Sequence, residues 1–209
     1  MEEFLTNNEL LLIGTMAAAP RLSHESRGTR FYLMPLAIQR LSGAVDEIPV
    51  LLREGQLRAL ETQEADKLRV QGELRSFNNR RGEGAKLVIT AYARSIGFCN
   101  EPDNNRLTLR GSLCKNPNLR CTPMGREVCD LMLAVRRRYA RSDYLPCICW
   151  GSLAREAAAL PVGAKLSLSG RVQSRPYIKM TEDGPVEKIA YEVSASALER
   201  IDAETPAFT

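Results

Sequence analysis

The chain has one histidine, one tryptophan and few aromatic residues of any kind, 6% of 209. A single histidine, His24, in a polar stretch beside Glu25 and Ser26, leaves no Ser-His-Asp set and no HExxH pair for a metalloenzyme. There is no Walker loop, and no cluster of acids of the kind a two-metal site requires. The six cysteines (Cys99, Cys114, Cys121, Cys129, Cys147 and Cys149) contain no CxxC knuckle, so a closed zinc site is not expected. Cys114 and Cys121 could approach each other across a loop, but two thiols do not complete a metal shell. No apolar run approaches the length of about 18 residues that a membrane helix needs. The opening Met1-Glu2-Glu3 lacks a basic segment followed by an apolar one, so a secretory leader is not expected. The expectation is a cytoplasmic protein that is not an enzyme and carries no cofactor or metal.

What is present is an uneven charge. The net formal charge is only +4. Asn105 to Lys179 nevertheless holds 14 Lys or Arg against 4 Asp or Glu, whereas Met180 to Thr209 holds 2 against 7 and the first 97 residues 13 against 12. A positive field concentrated in one half raises the local concentration of a polyanion.

The chain also repeats itself, with a period near 97 residues. Asn8-Glu9-Leu10-Leu11-Leu12-Ile13-Gly14 matches Asn105-Arg106-Leu107-Thr108-Leu109-Arg110-Gly111. Pro20 and Leu22 match Pro117 and Leu119, Leu36-Ala37-Ile38 matches Leu133-Ala134-Val135, and Ile48-Pro49-Val50 matches Leu145-Pro146-Cys147. Lys67 to Gly72 matches Lys165 to Gly170, one residue out of phase. Five matches in order imply two copies of one domain: residues 1–97 and 104–198, a short linker over 98–103, and an acidic tail over 199–209.

Each copy reads as strands punctuated by glycine and proline. In the second copy these run Leu107–Gly111, Val128–Val135, Tyr144–Trp150, Lys165–Val172 and Ala190–Ala197. Only Ser152–Leu160 looks helical, with Ser152 as N-cap and Pro161-Val162-Gly163 as the stop. Its counterpart would be Leu57–Glu64. Five strands with a helix between the third and fourth is the order of an OB barrel, so the fold expected is all-β: tandem five-stranded OB barrels, each with one short helix. Along Tyr144–Trp150 the cysteines Cys147 and Cys149 share one face and Tyr144, Pro146, Ile148 and Trp150 the other. The cysteines are expected to be reduced core residues.

The second copy resembles the bacterial single-stranded DNA-binding protein family. The residues that carry the likeness are Asn105 to Leu113, Asn116-Pro117-Asn118-Leu119-Arg120, Thr122-Pro123-Met124-Gly125, Val128, Leu133-Ala134-Val135, Trp150-Gly151-Ser152-Leu153-Ala154 and Gly170 to Arg175. The resemblance implies four aromatic positions along the DNA surface, matched here by Tyr139, Tyr144, Trp150 and Tyr177. Rings stack on bases without demanding a sequence. Arg136, Arg137, Arg138 and Arg141 surround Tyr139, and Arg171, Arg175 and Lys179 accompany Tyr177, so cations are available for phosphates. The opposing reading is that Tyr144 and Trp150 pack in the core or against the other barrel.

At the matching places the first copy has Ser42, Glu47, Arg53 and about Asn79, none aromatic; Phe77, Tyr32 and Arg80-Arg81 compensate only in part. The first barrel is therefore expected to be mainly a scaffold that supplies a pairing surface through its first strand. The resemblance implies a homodimer with four OB barrels, a nucleoid-associated location, and a role in DNA replication, recombination or repair. It also implies a long Gly- and Pro-rich tail with an acidic tip; here only Asp202, Glu204, Pro206 and Phe208 echo it. The rival expectation is an OB-fold accessory of replication restart or recombination that works through protein partners. RNA stays open as a ligand, since stacking does not read the sugar.

Overall fold

The computed structural model describes residues 7–60, 66–79, 86–137, 141–181 and 184–201. Tyr139, Arg138, Arg80-Arg81 and the acidic tail beyond Ile201 lie outside the described residues.

The first copy runs β1 (Asn8–Met16), β2 (Arg21–Ser26), β3 (Thr29–Gln39), β4 (Val45–Arg53), α1 (Glu54–Leu60), β5 (Lys67–Asn78) and β6 (Leu87–Cys99). The second runs β7 (Asn104–Leu113), β8 (Asn118–Cys121), β9 (Glu127–Arg136), β10 (Ser142–Trp150), α2 (Ser152–Ala158), β11 (Lys165–Thr181) and β12 (Gly184–Arg200). Five strands close each barrel. In the first, β1 pairs β5 and β3, β3 pairs β4, β4 runs parallel to β6, and β6 pairs β5. The second repeats this with β7, β9, β10, β12 and β11. A sixth, short strand in each copy, β2 or β8, forms a hairpin with β3 or β9.

The elements follow the sequence pattern, with differences beyond the added β2 and β8 and the run of β6 to Cys99. α1 begins at Glu54, earlier than the expected Leu57. Ser152 is not a cap: Gly151 stands at the N-cap with φ 59°, a backbone angle that favours glycine, and no side chain caps the helix. β11 and β12 extend well beyond the barrel, so that Tyr177 lies on a long strand. Gly72 and Gly170 mark the bulges at which β5 and β11 bend across their partner strands. An added Cβ there would stand 2.0 Å from the Tyr92 carbonyl oxygen and 2.2 Å from that of Ser194. Only a residue without Cβ permits that approach.

The two copies share one sheet. Asn8–Ile13 of β1 pair antiparallel with Asn104–Leu109 of β7, with Leu10 opposite Leu107. Within its own barrel β1 reaches β3 only at Thr15 and Met16. The earlier part of the strand would otherwise present an open edge, and β7 satisfies it. Leu10, Leu12, Leu107 and Leu109 belong to a single buried cluster that runs through both barrels. Asn8 and Asn105 occupy corresponding positions and act alike. The Asn8 amide donates to the Leu74 carbonyl at 2.7 Å and accepts the Leu74 N–H at 2.9 Å. Asn105 does the same with Val172, at 2.6 and 2.9 Å.

The connection between β6 and β7 is anchored to the first barrel. Asp103 accepts the Gln39 N–H at 2.6 Å and pairs with Lys67 at 2.7 Å, and Glu101 pairs with Arg69. Lys67 and the Gln39 N–H hold the Asp103 carboxyl below its usual range, against the opposing effect of burial.

The hairpin arms cross over. β5 carries Ser76 to the second barrel, where its N–H donates to Asp143 at 2.5 Å and its hydroxyl accepts the Tyr144 N–H at 2.7 Å. β11 carries Ser174 to the first barrel, where its N–H donates to Asp46 at 2.8 Å and its hydroxyl accepts the Glu47 N–H at 3.2 Å. Both carboxylates are buried, and each is gripped by an arginine of its own barrel, Arg137 or Arg40.

Candidate nucleic-acid interface

The face that matters is built by alternation on β10. Asp143, Leu145, Cys147 and Cys149 point inward and are buried. Tyr144 and Trp150 project from the opposite face with 48% and 40% of their surface exposed. They are therefore outside the core. Six residues of strand separate them by about 20 Å. The Tyr144 backbone is fixed by Ser76 of the other barrel, which gives that ring a rigid base. The cysteines beneath are free thiols. Burial, with Cys129 and Glu156 as lesser influences, pushes the Cys149 thiol up to about 12, and Cys147 is raised further by the same cause. Among the described residues no group of His, Cys, Asp or Glu could hold a metal.

Among the described residues the expected cations divide into exposed and engaged groups. Arg136 at the end of β9, Arg141 and Arg171 are exposed. The Arg137 N–H donates to the Arg141 carbonyl at 2.7 Å, which brings the two chain segments together at this end of the barrel. The Arg137 side chain, expected from the sequence to meet phosphate, turns inward instead. Its guanidinium binds Asp143 and donates to the Ser76 carbonyl at 2.8 Å. The strand alternation sets Arg137 on the inward side; the packed barrels supply the buried carboxylate it meets there. Arg175 is exposed and lies 3.8 Å from Glu192. Asp130 pairs with Arg120 at 2.7 Å. The carboxylates beside the basic strand thus serve ion pairs.

Tyr177 and Lys179 lie on the β11–β12 arm. Tyr177 stands opposite Lys188 and Lys179 opposite Val186, so Tyr177, Lys179 and Lys188 share one face. The other face carries Pro176, Ile178, Met180 and Ile189. The arm leaves its own barrel and reaches the first, so Tyr177 does not join Tyr144 and Trp150 on one strand face. It lines a cleft against β3, β4 and β6 with Tyr191, Arg21, Lys86 and Lys188. Sequence reasoning missed these four. The Asp183-Gly184 dipeptide between two β-rich runs is a hairpin signal that would have joined and extended β11 and β12.

In the first barrel Arg53 occupies the place of Trp150. Its guanidinium lies 5.7 Å from the centre of the Tyr92 ring and donates to the Tyr92 hydroxyl at 2.6 Å. Arg75 stands 5.5 Å from the same ring, its basicity lowered by burial and by Arg137. Tyr92 is thus engaged by two arginines.

Residues 104–201 match the Single-strand binding protein family. The chain is 38% identical over 80 residues to the single-stranded DNA-binding protein of Clostridium tetani, an alignment that covers 35% of this chain and 55% of that protein. It is likewise 38% identical to single-stranded DNA-binding protein 2 of Listeria innocua, covering 35% of this chain and 50% of that one. The chain thus spans about half the length of the curated relatives it matches. The crystal structure of the wild-type single-stranded DNA binding protein from Thermus aquaticus superposes with a TM-score of 0.76 at 25% identity, covering 97% of this chain and 96% of that one. A deletion mutant of the same protein gives 0.74 at 26% identity, covering 96% and 97%. The second half of the chain, residues 104–201, is thus similar to the single-strand binding protein family, and the whole chain has the tandem OB fold it shares with the Thermus aquaticus protein.

Proposed function

We propose that this chain binds single-stranded DNA without marked sequence preference and protects it during replication, recombination or repair. The observation that carries the reading is the outer face of β10, where Tyr144 and Trp150 are half exposed on a rigid strand in the positively charged half of the chain. Bases stack on these rings and on Tyr139, while Arg136, Arg138, Arg141 and Arg171 meet phosphates. Arg137 holds the barrels together. The second barrel carries the main stacking surface, and the first chiefly supplies the β1 edge on which it pairs. The names of the relatives support the ligand assignment.

Two chains associate to give four barrels. The apolar face of the β11–β12 arm supports this: Ile178 and Met180 are 70% and 73% exposed, and large side chains left in water on a projecting hairpin favour a partner surface. The test of function is a titration with oligothymidine and with duplex of equal length. Single strands bind tightly and lose affinity with salt, and duplex binds far more weakly because paired bases cannot stack. Equal affinity for the two would refute the reading.

A further inference from the structure

We propose that Ser76 of the first barrel is a positioning residue for the Tyr144 ring of the second, so that the first barrel acts on single-strand affinity through a buried side chain that does not touch the ligand. The inference rests on the ligand assignment above and concerns how the stacking ring is held.

β10 is incompletely paired where Tyr144 stands. Along one edge it is bonded to β9 from Ser142 to Trp150. Along the other, β12 meets it only at Cys147 and Ile148, and Pro146 has no N–H with which to extend that ladder. Backbone N–H groups alternate between the two edges of a strand, so Tyr144 presents its N–H to the edge that β12 has left. Ala134 is the cross-strand neighbour of Tyr144, and its methyl group gives a large ring little to pack against. The ring itself is 48% exposed. Its direction therefore depends on the backbone beneath it.

The Ser76 hydroxyl accepts the Tyr144 N–H at 2.7 Å and closes that gap. Ser76 is in turn held by its other two polar groups. Its N–H donates to Asp143 at 2.5 Å, and its carbonyl accepts from the Arg137 guanidinium at 2.8 Å. Ser76 and Asp143 are both buried, and Arg75 faces the same carboxylate at 3.9 Å. The serine cannot shift without disturbing a buried ion pair, which makes it a fixed support for an exposed ring.

The repeat supplies an internal control. Ser174 stands to the first barrel as Ser76 stands to the second: its N–H donates to Asp46 at 2.8 Å, and its hydroxyl accepts the Glu47 N–H at 3.2 Å. Glu47 occupies the place of Tyr144 and has no ring to orient. The Ser174 hydroxyl also lies 3.4 Å from Asp46, so it is shared between two partners. Both serines join the barrels; only Ser76 supports a stacking residue.

The test uses the full chain, oligothymidine titrations and a double-mutant cycle. Ser76→Ala weakens binding by about 2- to 12-fold, the span set by one hydrogen bond, and by no more than Tyr144→Ala does, since it acts through that ring. In the Tyr144→Ala background Ser76→Ala has no further effect, whereas in the Trp150→Ala background it keeps its full effect. Ser174→Ala removes the corresponding bond of the junction and retains wild-type affinity. A merely structural role would move all of these together. Amide exchange in the wild-type chain reads the contact without requiring any variant to fold: the Tyr144 N–H exchanges as slowly as those of Leu145 and Cys147 in the ladder with β9. The positioning role is wrong, and the ligand assignment stands, if the Tyr144 N–H exchanges like an open strand edge. The same follows if Ser76→Ala binds like wild type, if it loses as much without the Tyr144 ring as with it, or if Ser174→Ala loses as much as Ser76→Ala. If wild-type protein binds no oligothymidine, both fall.

Discussion

Asp143 of the second barrel accepts the backbone N–H of Ser76 of the first at 2.5 Å, and the Ser76 hydroxyl in turn accepts the N–H of Tyr144. Asp46 and Ser174 repeat the arrangement with the barrels exchanged. A buried carboxylate is costly unless its oxygens are satisfied, and here an arginine from the same barrel and an amide from the other do so. The junction therefore depends on both chains of contact at once. It also sets the orientation of Tyr144, whose N–H is one of the bonds.

Removing one carboxylate should show the cost. Asp143→Ala leaves Arg137 and Arg75 crowded without their counter-charge, and loss of one member of a buried ion pair typically costs about 3 to 5 kcal/mol. Urea unfolding of Asp143→Ala and Asp46→Ala should show losses of that order in both. Arg137→Ala should likewise lower stability while leaving the salt slope of DNA binding unchanged. A reduced slope with unaltered stability would return Arg137 to the phosphate contacts.

Trp150→Ala should weaken oligothymidine binding by roughly 5- to 150-fold, since removing a stacked ring costs about 1 to 3 kcal/mol and each 1.4 kcal/mol is a factor of ten. Trp150 is the only tryptophan, so quenching of the wild-type indole on binding reports this position alone. Phe77, 53% exposed on the β5–β6 arm, should matter less; an equal loss in Phe77→Ala would make the first barrel's arm a stacking element in its own right.

Gly170→Ala should destabilise the second barrel by about 1 to 3 kcal/mol, because the new methyl group meets the Ser194 carbonyl and the β11 bend must open. Gly163→Ala is the useful contrast: nothing stands near its added Cβ, and its cost comes from φ of 90° alone. Thermal melts of the two separate close packing from backbone strain.

Acid should loosen the connection between the barrels. The folded Asp103 carboxyl is held below its ordinary value of about 4, so the stability it contributes is complete above that value and is lost as pH falls through the lower, folded one. Stability measured from pH 6 down to pH 2 should fall less steeply in Asp103→Asn than in wild type. Identical pH profiles would mean that Lys67 and Gln39 add nothing at this site.

The amino-acid sequence alone determined the repeat, the order of strands and helix in each copy, and the face of β10 that bears Tyr144 and Trp150. These follow from spacing: alternation on a strand assigns a face whatever surrounds it, and a match every 97 residues or so requires two copies of one unit. The tertiary structure decided which charges are spent and which rings share a site. Alternation after Leu131, Leu133 and Val135 sets Arg137 rather than Arg136 on the inward face, but only the approach of Ser76 and Asp143 decides what it meets there. Tyr177 reads as part of its own barrel, yet the long β11–β12 arm sets it against the other. Both outcomes depend on contacts between residues about 60 to 130 apart in the chain, set by how β1 and β7 join two barrels into one sheet, and no local pattern records a distance of that kind.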